Sequence, residues 1–144
     1  MDRYMRSAPY NMLHICVDVA SEGHIAGRVY NPTIKENIVF RDVNELFLKA
    51  DQLFDRNGNP MPSSLKRSFT PRDETRPHYY QRHPAQVCEY HDLLVQQGKV
   101  ITLDLVVLTR HLSSWQGYLF YEDQTYEFKE VLEIVKIINK LLNL

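Results

Sequence analysis

Apolar residues fall at every second position from Leu13 to Val19, and this period predicts a half-buried strand. Leu13, Ile15, Val17 and Val19 are expected to face a core, with His14, Cys16, Asp18 and Ala20 on the other side. Ser21-Glu22-Gly23 reads as a turn, His24 to Tyr30 as a second strand ended by Asn31-Pro32, and Ile38 to Phe40 as a short third strand. The spacing then lengthens to helical, with Val43, Leu46, Phe47, Ala50, Leu53 and Phe54 on one stripe. Asp42 can cap this helix, Glu45 three residues on approaches a capping box, and Asp55-Arg56-Asn57-Gly58 supplies a stop after about Phe54.

The same order returns later: a strand from Ile101 to Arg110, a connection at His111-Leu112-Ser113 and a strand from Ser114 to Tyr121. A turn at Glu122-Asp123-Gln124, a strand from Thr125 to Phe128 and a closing helix to Leu142 complete it. At a constant offset, Leu13, Ile15, Val17, Ile25 and Gly27 match Leu103, Leu105, Val107, Trp115 and Gly117. After a loop two residues longer in the first copy, a second offset matches Phe40, Asp42 and Glu45 with Phe128, Glu130 and Glu133. Glu130 is a poorer cap than Asp42, and Glu133 is placed to pair with Lys136. Gly27 and Gly117 recur inside strands, where glycine normally weakens packing, so a bulge or close cross-strand approach is expected at both.

Two units too small to bury their own apolar faces imply one shared core. The expected fold is α+β: two tandem β-β-(β)-α repeats forming one antiparallel sheet, with both helices on one face and His14, Asp18 and Arg110 on the open face. The expected organisation is an N-terminal arm at 1–11 and a single domain at 12–144. That domain comprises repeat 1 (12–56), a linker or loop (57–98) and repeat 2 (99–144). Proline recurs at 60, 62, 71, 77 and 84 in the linker, and Leu93, Leu94 and Val95 allow a short helix or extended lead-in before Gly98.

With 144 residues, 44% hydrophobic and 24% charged, the composition is that of an ordinary globular chain. A net charge of -1 argues against coating nucleic acid by bulk electrostatics. No apolar run is long enough to span a bilayer, and two cysteines make no disulfide framework, so a cytoplasmic setting is expected.

Charge is concentrated in the first part of the linker. From Pro60 to Pro84, Lys66, Arg67, Arg72, Arg76 and Arg82 outweigh Asp73 and Glu74 by three, leaving -4 on the rest of the chain. Tyr79 and Tyr80 lie among these cations, and arginines beside aromatics can grip phosphates and stack bases. Together with Arg110 and Trp115 they are the candidate binding residues for a nucleotide or single-stranded nucleic acid. His78, His83, Cys88 and His91 are weak metal candidates, since no paired CxxC or finger spacing frames them. Arg72-Asp73-Glu74-Thr75-Arg76 with Ser114-Trp115-Gln116-Gly117 resembles the cyclic-dinucleotide motif of PilZ domains, but Leu112 stands where that motif has Asp or Asn. No nucleophile elbow, phosphate loop or metalloprotease motif surrounds Cys16, Cys88, Ser113 or Ser114, and no catalytic residue or cofactor is assigned.

Arg110, Ser114-Trp115-Gln116-Gly117, Phe128, Val131 and Glu133 come in an order that resembles a family of small, functionally uncharacterised Firmicutes proteins, clostridial ones in particular. The resemblance is strong over the last third and loose over the first repeat. It departs at Glu130, where the family has serine, and at Leu112, where it has asparagine. It implies a bacterial cytoplasmic origin and brings no activity. The expected function is a non-catalytic binding or adaptor module that holds a protein partner, or a second copy of itself, through a sheet face, an edge or the basic linker. Nucleotide or single-stranded nucleic-acid binding is the alternative.

Overall fold

The computed structural model describes residues 9–22, 24–58, 60, 85–111 and 114–142. They form an α+β fold with a six-stranded antiparallel sheet and three helices. A 3-10 turn at Pro9–Asn11 leads into β1 (Met12–Ser21), β2 (His24–Tyr30) and β3 (Ile38–Phe40), and then α1 (Val43–Asn57). The short α2 (Tyr90–Leu94) precedes β4 (Ile101–His111), β5 (Ser114–Tyr121), β6 (Gln124–Phe128) and α3 (Val131–Leu142). The strand order is β3-β2-β1-β4-β5-β6, so β1 and β4 are the central pair, with Leu13 opposite Leu105 and Ile15 opposite Leu103.

The apolar alternation read from the sequence builds the main core. Leu13, Ile15, Val17, Leu103, Leu105 and Val107 are buried in one cluster with Leu46, Ala50 and Phe54 of α1 and Ile134 and Ile138 of α3. Asp42 accepts from the Glu45 amide at 2.8 Å, as a cap should. Glu45 reaches back to the Arg41 amide at 2.7 Å, one residue before the cap, and Glu133 does the same to the Lys129 amide at 2.6 Å. Gly58, at φ 65, closes α1 in the left-handed conformation.

Two expectations are corrected. First, the alternation is not continuous. The β1–β2 register shifts between Val17 and Val19, and the β4–β5 register shifts between Val107 and Thr109. One extra residue in each strand turns the residues after it onto the opposite face. Val19, expected inside, is 51% exposed, and Ala20, expected outside, packs against the main core. Arg110, opposite Trp115, moves off the expected open face in the same way and is 2% exposed. The two strand glycines allow this close approach: a Cβ on Gly27 would overlap the Cys16 carbonyl oxygen, and one on Gly117 the Val106 carbonyl oxygen.

Second, the face expected to be open is partly covered, and the end of the predicted linker covers it. Leu93 of α2 is buried with Met12, Val106 and Phe120, and Tyr30, Cys88, Tyr90 and Tyr118 pack around them. The first six residues of β1 are therefore buried on both faces, which a half-buried strand is not.

Candidate functional site

Under the segment after α2, β1, β2 and β4 bring together His14 and Asp18, which the sequence places outside, with Asp104 and Arg28. His14 is 2% exposed and lies opposite Asp104, which is 7% exposed. Its Nδ1–H donates to Asp104 Oδ1 at 2.6 Å, and its Nε2–H donates to the Gln96 carbonyl at 2.7 Å. A carbonyl and a carboxylate both accept, so the ring is held as an imidazolium. Burial works against that charge but is outweighed by the hydrogen bond to Asp104, the neighbouring Cys16 thiol, the Asp104 charge and the Gln96 carbonyl. The His14 pKa is raised from 6.5 to about 10. With both nitrogens donating, this histidine has no lone pair with which to act as a base on Cys16.

Beside it, Arg28 Nε donates to Asp18 Oδ2 at 2.9 Å and Nη2 donates to Asp18 Oδ1 at 3.2 Å, a two-pronged pair. Nη2 also reaches the Gln97 carbonyl at 2.8 Å, Nη1 the Tyr30 hydroxyl at 2.7 Å, and the Lys99 amide donates to Asp18 at 3.1 Å. Arg28 holds the Asp18 carboxyl below its ordinary range. The two clusters together pin residues 96–99 onto the sheet. Arg28 escapes a reading of the sequence because the bulge sets its register. Gly27, the residue that admits the bulge, is the available signal.

Arg110 points the other way, into the junction with α1. Its Nη1 donates to Asp51 Oδ1 at 2.8 Å and lies 3.0 Å from Asp55 Oδ1, Nε donates to the Pro60 carbonyl at 2.8 Å, and the guanidinium lies over the Phe54 ring. Trp115 is 2% exposed, edge-on to Phe47 and Phe54, with its Nε1–H directed at Asp51 Oδ1 at 3.4 Å. Both residues are thus engaged in packing between strand and helix rather than presented to a ligand. Arg67, Arg72, Arg76, Arg82, Tyr79, Tyr80, His78 and His83 lie outside the described residues. The Cys88 thiol donates to the Ile34 carbonyl at 3.0 Å, His91 is exposed, and no group of three or more metal-ligating side chains occurs among the described residues.

The sheet ends on β3 and β6. Lys49 Nζ donates to the Val39 carbonyl of β3 at 2.8 Å, and a lysine on an edge strand is a common way to block further pairing. β6 is longer, and the two-residue turn Glu122-Asp123 makes Tyr121 and Gln124 a hydrogen-bonded pair. Alternation from there directs the N–H and C=O groups of Thr125 and Glu127 off the sheet. A hollow of about 260 Å³ over Gly117, lined by Leu108, Thr109, Gln116, Tyr118 and Glu127, adjoins this edge. Among the described residues no helix is long and apolar enough to cross a membrane. Comparison with protein-family models, curated proteins and solved structures yields no match.

Proposed function

We propose that the chain is a non-catalytic binding module whose working surface is the outer edge of β6, and that the simplest strand to join it is the β6 of a second copy. The observation that carries this reading is the outward direction of the Thr125 and Glu127 backbone groups, whereas on β3, at the opposite end of the sheet, the Val39 carbonyl is taken by Lys49. An antiparallel pairing about Tyr126 sets Thr125 of one copy against Glu127 of the other, so four hydrogen bonds form and no two carboxylates oppose. The half-buried Tyr126 rings then meet on the face that carries Leu119 and Phe128.

Behind this reading stands a tandem duplication, with both helices laid on one face. Its support is the register: Val17 with Gly27, Val19 with Ala26 and Ala20 with Ile25 recur 90 residues on as Val107 with Gly117, Thr109 with Gln116 and Arg110 with Trp115. A reducing bacterial cytoplasm is the proposed setting, supported by Cys16 and Cys88 standing as free thiols.

Thr125→Pro is the test. It removes an N–H that faces away from the sheet and spares the β5–β6 ladder, so the fold should stay and edge pairing should go. Sedimentation equilibrium over a concentration series is expected to show a dimer for the natural chain and a monomer for the variant, with equal circular dichroism. A natural chain that stays monomeric, or a variant that dimerises equally well, would overturn the edge-pairing reading.

A further inference from the structure

β2 and β3 are joined by seven residues, Asn31 to Asn37, where β5 and β6 are joined by two. Connections of that length are commonly loose, and ordering their residues costs conformational entropy. This one is fastened from three sides. Asn31 is fully buried, donates to the Met12 carbonyl at 2.8 Å and accepts from the Thr33 amide at 2.8 Å. From α1, Asn57 Nδ2 donates to Thr33 Oγ1 at 3.0 Å and Arg56 Nη2 to the Thr33 carbonyl at 3.2 Å. From the segment before α2, the Val87 amide donates to the Pro32 carbonyl at 2.8 Å and the Cys88 thiol to that of Ile34. Burying Asn31, Thr33 and Asn57 is tolerable only because each is bonded.

The product of this fastening is one side of a shallow, open hollow of about 780 Å³, whose other side is the face of α1 carrying Lys49, Gln52, Leu53 and Arg56. That is the size range of small-molecule sites. Ile34, Ile38 and Leu53 supply apolar surface, while Lys35, Lys49 and Arg56 outnumber the single acid, Glu36. Lys49 and Arg56 stand two helical turns apart, about 10 Å along the axis. Lys49 uses one of its three N–H donors on Val39 and lies 3.8 Å from Glu45 Oε2, so Lys35 and Arg56 carry most of the positive charge open to a ligand. Among the described residues Arg56 donates from Nη2 to the Thr33 carbonyl, and its planar fork carries further donors suited to a carboxylate.

We propose that this hollow is a binding site for a small organic anion with an apolar body, such as an aliphatic carboxylate. The apolar lining disfavours a fully hydrated inorganic ion, and the excess of cations disfavours a neutral molecule. The site does not depend on the β6 edge, and either can fail without the other.

The probe is octanoate, titrated into the full-length chain and followed by the backbone amide resonances, with octanol and inorganic phosphate in parallel. Saturable shifts confined to residues 33–38 and 49–56 are expected with octanoate, and much weaker binding of the other two. The double variant Lys35→Gln, Arg56→Gln spares the Lys49 contact to β3. It should weaken octanoate about tenfold or more through loss of charge-assisted contacts, with an otherwise native spectrum. Should that variant unfold, Lys35→Glu, which changes only an exposed loop residue, must still weaken binding. Equal binding of octanol or of phosphate, shifts outside these residues, no saturation, or octanoate affinity unchanged in both variants would each overturn the proposal.

Discussion

At His14 a bound proton decides how the segment around Gln96 is held. The folded pKa, about 10, lies above the ordinary value of 6.5, so folding tightens proton binding. The contribution of the pair to stability is complete below pH 6.5 and is lost as pH rises towards and through about 10. Urea unfolding midpoints should therefore fall across that window. In Asp104→Asn the fall should flatten, with a loss of about 3–5 kcal/mol at neutral pH for leaving a buried cation without its partner. A natural chain whose midpoint tracks that of the variant over the window would show that the pair does not carry the pH dependence. The strands that carry His14 and Asp104 were legible in the sequence. The burial of the two residues was not, because it depends on residues 85–98, where the apolar residues Val87, Cys88, Leu93, Leu94 and Val95 follow no period that assigns them to a sheet face.

At the scale of the element, the helices and strands arise from local signals, and the bulges do not. The stripe from Val43 to Phe54 and the cap at Asp42 place α1 where the sequence predicts, and the helix runs to Asn57 because Gly58 supplies the left-handed turn. Replacing Asp42 with alanine should cost about 1 kcal/mol, read as a lower urea midpoint with an unchanged slope. A midpoint equal to that of the natural chain would show that the reach of Glu45 to the Arg41 amide suffices alone. Glu45 has its own pH signature. The hydrogen bond from the Arg41 side chain leads in lowering its pKa from 4.5 to about 2, so what it adds is present above 4.5 and lost as pH falls towards 2. Glu133, expected beside Lys136, instead accepts from the Lys129 amide. In the strands a single inserted residue reverses Val19 against Ala20 and carries Arg110 inward, and nothing in a two-residue period announces it. Gly27 and Gly117 were the only local sign.

Across the whole molecule, the two halves are joined by the β1–β4 pairing and by Arg110, which runs from a strand of the second half to Asp51 and Asp55 on the helix of the first. Arg110→Ala should cost about 3 kcal/mol, and Arg110→Met, which keeps the packing over Phe54, less. One cooperative transition is expected in both, because the central pair remains. Two separated transitions in Arg110→Ala would instead make the arginine the principal bond between the halves. The α+β class was readable from alternation and spacing. The edge at β6 and the fastened loop from Asn31 to Asn37 were not, since one follows from the order of the strands in the sheet and the other from contacts with elements distant in sequence. The position of Trp115 has a spectroscopic consequence. It is the single tryptophan of the chain, borne on β5 and enclosed by Phe47 and Phe54 of α1. Indole emission from this protein therefore originates at one point on the seam between the halves, and its colour reports whether that seam is dry or wet.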